Sequence, residues 1–229
     1  AMAATPQAAF LSILLPNDTS LEWAQELYEG VIALAQRYDV AIAGGDTNRW
    51  TGGLVISITA TGLPGNAGAL QRSGAVVGDA IMVTGKLGGS RLGHHLDFEP
   101  RINEALQLHN TYTLHAGMDI SDGLTLDLSR LCEASEVGAE LKLDKIPISA
   151  SAERLSQQTG QTSLSHALAD GEDFELLFTL ADDRANRLER DQPLGVPVTR
   201  IGTIIADAGL WQHSASGNRR PIKPQGFLH

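Results

Sequence analysis

Short apolar segments typical of β-strands alternate with segments of helical periodicity, and this alternation limits the fold more than any other feature of the chain. The first apolar run, AAFLSILLP, ends at Pro16 and predicts a buried strand. Apolar residues then recur at helical spacing over about residues 20–38, after a T-x-x-E capping box at Thr19 and Glu22. Strands separated by helices, without the even spacing of a β-sandwich, predict an α/β or α+β fold class.

The same alternation continues to the end of the chain. Residues 40–43, 54–61 and 80–84 predict strands, and a helix is expected to begin near Ser90. The later elements are a helix with Leu124, Leu128 and Leu131 on one face that ends before Gly138, a strand in AELKLDKI, a helix over residues 163–169, and GEDFELLFTL, a loop that leads into a strand. Residues 62–79 are glycine-rich and weakly periodic, so we expect two domains, residues 1–70 and 71–229.

Composition excludes several classes of protein. The 229 residues are 42% apolar, enough for a sizeable core, and carry a formal net charge of −10. That charge argues against a broad basic surface, so nucleic acid is not an expected partner. The longest apolar run is too short to span a bilayer, which argues against a membrane partner. The one cysteine, Cys132, rules out an internal disulfide and a cysteine-cluster zinc site, and the expected location is the cytoplasm.

The segment AIAGGDTNRW is the first candidate site. Its predicted strand is broken by Gly44 and Gly45, which places Asp46 at the carboxyl end of the strand, where open sheets bind ligands. Glycines there would let a ligand approach the backbone. The alternative is a tight turn in which Asp46 caps its own backbone, and the residues alone leave both interpretations open.

The segment MDISDGL is the second candidate. Asp119 and Asp122, on either side of Ser121, place hard oxygen ligands before a predicted helix, which suits Mg²⁺. The helix end is also expected to offer free N–H groups to an anion. N-capping by Asp119, Ser121 or Asp122 is the structural alternative.

The remaining candidates are weaker, but together they suggest a chemistry. Glu172 and Asp173 lie in a loop where acids are usually solvated, and GKLGGS is a poor match to a Walker phosphate loop. No catalytic histidine, cysteine or lysine stands out, whereas acids and glycines dominate the loops. Phosphoryl transfer fits this pattern because it depends on positioning and on metal ions. Several Mg²⁺ ions held by Asp46, Asp119 and Asp122 would allow an acidic protein to bind phosphates.

Several of these motifs occur together and in the same order in a known family. The segments GGDTNR, RSGAVVGDAIMVTGKLGGS, PRINEAL, MDISDGL, GEDFELLFT and the closing GFLH resemble thiamine-monophosphate kinases of the aminoimidazole ribonucleotide synthetase-like superfamily. The resemblance covers nearly the whole chain. It implies a two-domain homodimer that transfers the γ-phosphoryl group of ATP to thiamine monophosphate, with several Mg²⁺ ions, and gives thiamine diphosphate. Residues 1–70 would then be the remainder of a nucleotide-binding domain, and residues 71–229 a domain that closes over the substrate.

The resemblance also implies roles for single residues. The implied metal ligands, and hence catalytic residues, are Asp46, Asp119 and Asp122. The implied nucleotide contacts are Gly45, Asp46, Arg72 and Ser121, and the implied substrate contacts are Glu172 and Phe227.

The sequence departs from the family pattern in two places, and two other interpretations of its function remain open. Family members begin with a segment that carries further aspartates, so this sequence is expected to be either part of a longer polypeptide or a protein that lacks part of its magnesium shell. Residues 89–100 look shorter than the family's helix and loop. The rivals are another ATP-using enzyme of the superfamily and a non-catalytic nucleotide-binding fragment.

Overall fold

The computed structural model describes residues 1–213 and 219–228, which divide into two compact units. One unit comprises Ala4–Gly65, and the other combines Ala1–Ala3 with the chain from Asn66 onward. Each unit contains a β-sheet and at least one helix, so the expected mixed α/β class is confirmed. No helix in the described ranges is long and apolar enough to cross a membrane.

The smaller unit is a three-stranded sheet with one helix. Its strands are β1 (Ala4–Pro16), β2 (Ala41–Trp50) and β3 (Val55–Pro64), in the order β2-β1-β3, and its helix is α1 (Leu21–Arg37). The central strand β1 runs parallel to β2 and antiparallel to β3. Alternate residues of β1 face α1 because successive side chains of a strand point to opposite sides. These buried residues are Leu11, Ile13 and Leu15, which pack against Leu27 and Val31.

Helix α1 forms where periodicity predicted it, but its cap is a different residue. The side chain of Ser20, rather than Thr19, accepts a hydrogen bond from the backbone N–H of Trp23 at 3.2 Å. The T-x-x-E capping box is therefore wrong. The helix begins at Leu21, so the hydroxyl that can reach an unsatisfied N–H of the first turn is that of Ser20.

Strand β2 does not break at its glycines, contrary to the prediction from sequence. It runs from Ala41 to Trp50, with Gly45 opposite Leu11 in the register. A Cβ on Gly45 would lie 1.8 Å from the carbonyl oxygen of Leu11, so glycine allows β1 to pass closely. Asp46 therefore lies within the strand and not in a turn at its carboxyl end.

The larger unit is built on a seven-stranded sheet of order β10-β9-β6-β8-β4-β7-β5. Its strands are β4 (Ala80–Thr84), β5 (Ala116–Asp119), β6 (Gly138–Leu141), β7 (Leu176–Leu180), β8 (Val198–Ile205), β9 (Gly209–His213) and β10 (Arg219–Ile222). Its α-helices in the described residues are α2 (Ile102–Tyr112), α3 (Leu124–Ala134), α4 (Ala150–Thr159), α5 (Ser163–Ala169) and α6 (Asp182–Asp191).

Both faces of this sheet are buried at its central strand β4. Ile81 and Val83 of β4 belong to a core shared with α3 and α5. Ala80 and Met82, which point the other way, belong to a second core shared with α2 and α6. The sheet is therefore a central layer, and the loops between its strands and helices are left to form sites.

The helix expected near Ser90 is absent. Two 3-10 turns, Ser90–Leu92 and His94–Leu96, take its place. Gly89 and Gly93 have φ angles of 76° and 122°, a left-handed backbone that interrupts a helix.

Candidate active site

The MDISDGL segment forms a tight turn between β5 and α3, and a carboxylate from the helix holds it. Oδ2 of Asp127 accepts three backbone N–H hydrogen bonds, at 3.0, 2.9 and 3.2 Å, from Ser121, Asp122 and Gly123. The cap position of α3 is Gly123, which makes no side-chain capping bond. N-capping by Asp119, Ser121 or Asp122 is therefore wrong. Of the N–H groups at this helix end, that of Gly123 is bound by the protein's own carboxylate and is not available to an anion.

Asp127 is fully buried and is paired with a cation. Burial raises the pKa of its carboxyl group, and the hydrogen bonds from the N–H groups of Asp122 and Ser121 oppose that rise. Nη1 of Arg130 donates to Oδ1 of Asp127 at 2.9 Å and also contacts the carboxylate of Asp122. One guanidinium group therefore links the buried acid to one of the predicted metal ligands.

Two other motifs are attached to this turn through the backbone. The N–H of Glu172 donates to the carbonyl oxygen of Ser121 at 2.7 Å, and that of Phe174 to Ile120 at 2.9 Å. From the carboxyl-terminal GFLH segment, the N–H of Phe227 donates to the carbonyl oxygen of Asp122 at 2.9 Å. Three segments far apart in sequence therefore meet at one place.

Two glycines make this convergence possible. Gly171 has a φ angle of 72°, and a Cβ on it would lie 2.6 Å from the carbonyl oxygen of Ser121. A Cβ on Gly226 would lie 2.2 Å from the carbonyl oxygen of Asp122. Any side chain at either position would push its segment away from the turn.

The converging segments line a cavity of about 650 Å³. Four predicted site residues contribute to its wall: Ser121, Asp122, Glu172 and Phe227. The rest of the described lining is Arg91, Asp170 and Phe174. Carboxylates, one guanidinium group and two aromatic rings thus share a space of the size that small-molecule sites usually have.

Asp119 and Arg72 line a different cavity, of about 420 Å³. Asp119 is the last residue of β5, whereas Asp122 lies in the turn that follows. These two aspartates, three residues apart in sequence, therefore line separate cavities. Arg72 and Asp119, which the resemblance assigned to nucleotide and metal, share a wall.

Gly45 and Asp46 belong to the smaller unit. Asp46 is exposed, lies opposite Ser12 in the register and accepts a hydrogen bond from Nδ2 of Asn48 at 2.7 Å. Since Ser12 alternates with the α1-facing residues of β1, Asp46 lies on the sheet face away from α1. The close contact between Gly45 and β1 explains why this position is a glycine, without requiring a role in ligand binding.

Asp173, which is buried, and Asp170, which lines the cavity, hold the neighbouring GKLGGS segment in place. Oδ1 of Asp173 accepts hydrogen bonds from the backbone N–H of Gly88 at 2.9 Å and from Oγ of Ser90 at 2.6 Å. Burial raises the pKa of Asp173 to about 7. Oδ2 of Asp170 accepts the N–H of Gly89 at 3.0 Å. The GKLGGS segment is therefore held against the GED loop instead of being a free phosphate loop.

A second buried pair joins the PRINEAL and GEDFELLFT motifs. Glu175 is 3% exposed and receives two hydrogen bonds from Arg101, from Nε at 2.8 Å and from Nη2 at 2.6 Å. Oγ1 of Thr84 donates to the same carboxylate at 2.6 Å. This bidentate pair fixes the start of β7 directly behind the GED loop.

Sequence reasoning missed Asp127, Arg130, Asp173 as an anchor, and Arg91. A signal existed for Asp127, because an acid stands beside the apolar stripe of α3, three residues before an arginine. No signal distinguished Arg91, because only the fold brings it to the cavity that Glu172 also lines. Among the described residues, no group of three or more histidine, cysteine, aspartate or glutamate side chains is arranged to hold a metal ion.

Comparison with known proteins identifies the class. The sequence matches the family described as AIR synthase related protein, N-terminal domain, over residues 1–63. It matches the AIR synthase related protein, C-terminal domain, over residues 52–210. With the two-sheet fold, these matches define a member of the AIR synthase related proteins.

Individual relatives identify the branch. Thiamine-monophosphate kinase of Rhodopirellula baltica is 47% identical over 229 residues, which cover 100% of this chain and 72% of that protein. The crystal structure of thiamine-monophosphate kinase from Stenotrophomonas maltophilia K279a has a TM-score of 0.78 at 34% identity, over 93% of this chain and 73% of that chain. The chain belongs to the thiamine-monophosphate kinase family, as its motifs predicted.

A further solved structure carries ligands. AaThiL complexed with AMPPCP and TMP has a TM-score of 0.74 at 27% identity, over 99% of this chain and 74% of that chain. That protein therefore holds an ATP analogue and TMP on the same fold.

Proposed function

We propose that this protein transfers the γ-phosphoryl group of ATP to thiamine monophosphate and so forms thiamine diphosphate. The observation that carries the proposal is the cavity of about 650 Å³, which MDISDGL, GEDFELLFT and GFLH build together. The names of the relatives agree with this activity, as does the complex of AaThiL with AMPPCP and TMP.

The chemistry of the donors suits magnesium. Carboxylate oxygens are the protein ligands that Mg²⁺ prefers, and one or two carboxylates with substrate phosphates are the usual set. On that basis Asp46, Asp119 and Asp122 are the residues that would hold Mg²⁺. Bound Mg²⁺ neutralises phosphate charge, which is what two mutually repelling anions require before they can react.

The chain's own residues then bind and orient the reactants. Gly45, Asp46, Arg72 and Ser121 are proposed to contact the nucleotide. Glu172 and Phe227, which share the larger cavity, are proposed to contact thiamine monophosphate. The acceptor phosphate is already an anion near neutral pH, so no side chain needs to act as its general base. Transfer follows from positioning and charge stabilisation.

The domain roles are proposed from the family resemblance. Residues 1–70 would form the remainder of a nucleotide-binding domain and residues 71–229 a domain that closes over the substrate. A cytoplasmic setting is also proposed, because Cys132, the one cysteine of the chain, is a buried thiol.

A homodimer is proposed from the open face of the smaller sheet. On the face away from α1, Phe10, Leu14 and Val55 are exposed large apolar side chains. A second copy of this chain could cover them by packing sheet against sheet. Light scattering is expected to give the mass of a dimer. Phe10→Lys combined with Val55→Lys is expected to give a monomer, and a monomeric mass for the unaltered protein would contradict the proposal.

The activity is tested by ADP release and by product analysis. The protein is incubated with ATP and Mg²⁺ in parallel reactions that each contain one acceptor: thiamine monophosphate, thiamine, an amide substrate of the related synthetases, or selenide. ADP release and thiamine diphosphate formation with the first acceptor alone are expected. Turnover with another acceptor points to a different superfamily enzyme, and calorimetric ATP binding without any turnover points to a non-catalytic fragment.

A further inference from the structure

We propose that Arg91 binds the phosphate of the acceptor, while Glu172 binds its cationic ring, so that the larger cavity selects a substrate carrying both charges. This inference rests on the proposed function and deepens it by naming how the acceptor is recognised. Thiamine monophosphate has a permanently cationic thiazolium ring at one position and a phosphomonoester at another. A site for it therefore needs one negative and one positive group held apart.

The charges lining the cavity have this arrangement. Asp122 is engaged by Arg130, and Asp170 by the N–H of Gly89 and by His166. Arg91 and Glu172 are the other two charged residues of the described lining, and neither makes a side-chain hydrogen bond or ion pair with another described residue. Since an ion pair would bring their nitrogen and oxygen atoms within about 4 Å, the two opposite charges are separated and available.

The backbone that carries Arg91 is fixed and not a free loop. Its neighbour Ser90 donates its hydroxyl to Asp173, and the carbonyl oxygen of Ser90 accepts a hydrogen bond from Nδ1 of His95 at 2.8 Å. Gly89 has room for no side chain, because a Cβ there would lie 2.4 Å from the backbone of Ser151 and Ala152. The backbone at Ser90 and the backbone at Glu172 are both anchored through the GED segment, so the two side chains start from fixed backbone positions before substrate binds.

The cavity also offers surfaces for the ring. Phe174 lines it and is stacked on Phe98, with ring centroids 4.0 Å apart. Phe227 contributes a second aromatic side chain. A cationic ring gains from aromatic faces as well as from a carboxylate, and Glu172 is the carboxylate without a described partner, so the ring is assigned to Glu172 and the phosphate to Arg91. Arginine suits this role because its planar group binds phosphate oxygens in pairs.

The experiment uses two variants and two ligands. Arg91→Gln and Glu172→Gln are prepared in the full chain, and binding of thiamine monophosphate and of thiamine is measured by calorimetry. Arg91→Gln is expected to weaken the binding of thiamine monophosphate about 10- to 100-fold and to leave the binding of thiamine unchanged, because only the phosphate contact is lost. Glu172→Gln is expected to weaken both ligands. Arg91→Lys, which keeps the charge, is expected to recover part of the loss.

Steady-state kinetics separate this role from others. For Arg91→Gln we expect the KM for thiamine monophosphate to rise and the KM for ATP to stay constant. Arg190→Gln, at an exposed arginine of α6 outside the cavity lining, controls for loss of surface charge and should match the unaltered protein.

Specific outcomes overturn the inference. The first is that Arg91→Gln binds thiamine monophosphate as tightly as the unaltered protein does. The second is that Arg91→Gln loses equal affinity for thiamine monophosphate and thiamine. The third is that it raises the KM for ATP alone. If the unaltered protein turns over thiamine monophosphate and one of these occurs, the inference fails and the proposed function stands. If the unaltered protein neither binds nor turns over thiamine monophosphate, both fail together.

Discussion

Oδ2 of Asp127 lies 2.9 Å from the backbone nitrogen of Asp122, and that hydrogen bond ties a helix residue to the turn that precedes it. Asp127 is fully buried, whereas Asp122 faces the larger cavity. The same helix therefore supports the turn through Asp127 and, through Arg130, places a positive charge beside Asp122. The position of Asp122 therefore depends on a fully buried residue outside the described cavity lining.

Replacing Asp127 with alanine is expected to lower the free energy of unfolding by about 2–4 kcal/mol, because three N–H groups lose a charged acceptor. Urea denaturation followed by circular dichroism measures the change. Turnover should fall as well, since the turn that carries Ser121 and Asp122 loses its anchor. Asp144→Asn, at an exposed acid, is the control, and equal stabilities of the two variants would contradict the anchoring role.

Asp122→Asn is expected to reduce kcat about 100-fold or more while the fold stays intact, because the lost charge acts mainly in the transition state. Arg130 retains Asp127 as its partner in this variant, so the free energy of unfolding should change by no more than about 1 kcal/mol. Steady-state kinetics over a range of Mg²⁺ concentrations measure the effect.

Asp46→Asn is expected to act in the same way, because Asp46 is exposed and supports no buried contact. Asp183→Asn on α6 serves as the control for both aspartates. A variant that keeps its rate and its normal Mg²⁺ dependence would remove that aspartate from the proposed set of ligands.

The regular elements were predictable where periodicity was strong. β4, which is buried on both faces, and α5 occur at the predicted residues, and α3 has the predicted apolar face. The predicted break at Gly45 failed because glycine served there to admit β1 and not to form a turn. The helix expected at Ser90 failed because two left-handed glycines confine it to short turns.

The site was predictable in its motifs but not in its assembly. Residue types and resemblance singled out Ser121, Asp122, Glu172 and Phe227, which share one cavity. The spacing of Asp119 and Asp122 suggested a single cluster, yet they line different cavities, because one ends a strand and the other lies in a turn. Contacts between segments far apart in sequence leave no local pattern, so the support from Asp127 became visible only in the fold.

Stability should depend on pH through Asp173. Burial raises the pKa of its folded form to about 7 from an ordinary 3.8, so folding favours the protonated acid. The resulting stabilisation is fully present below about pH 4 and is lost as the pH rises through about 7. Asp173→Asn, which stays neutral, should lack this fall. Urea denaturation at pH 5 and pH 8 tests the difference, and parallel pH profiles for both proteins would contradict it.

The pair of Arg101 and Glu175 gives the last prediction. Both side chains are largely buried. Arg101→Met therefore removes a charged partner of the Glu175 carboxylate at a site from which water is largely excluded. We expect Arg101→Met to lower the free energy of unfolding by about 3–5 kcal/mol. The double variant Arg101→Met with Glu175→Gln is expected to lose less, because it leaves no unpaired charge. Urea denaturation of the single and double variants measures both, with Arg190→Met as an exposed control. A single variant as stable as the control would show that the pair does not hold the GED loop in place.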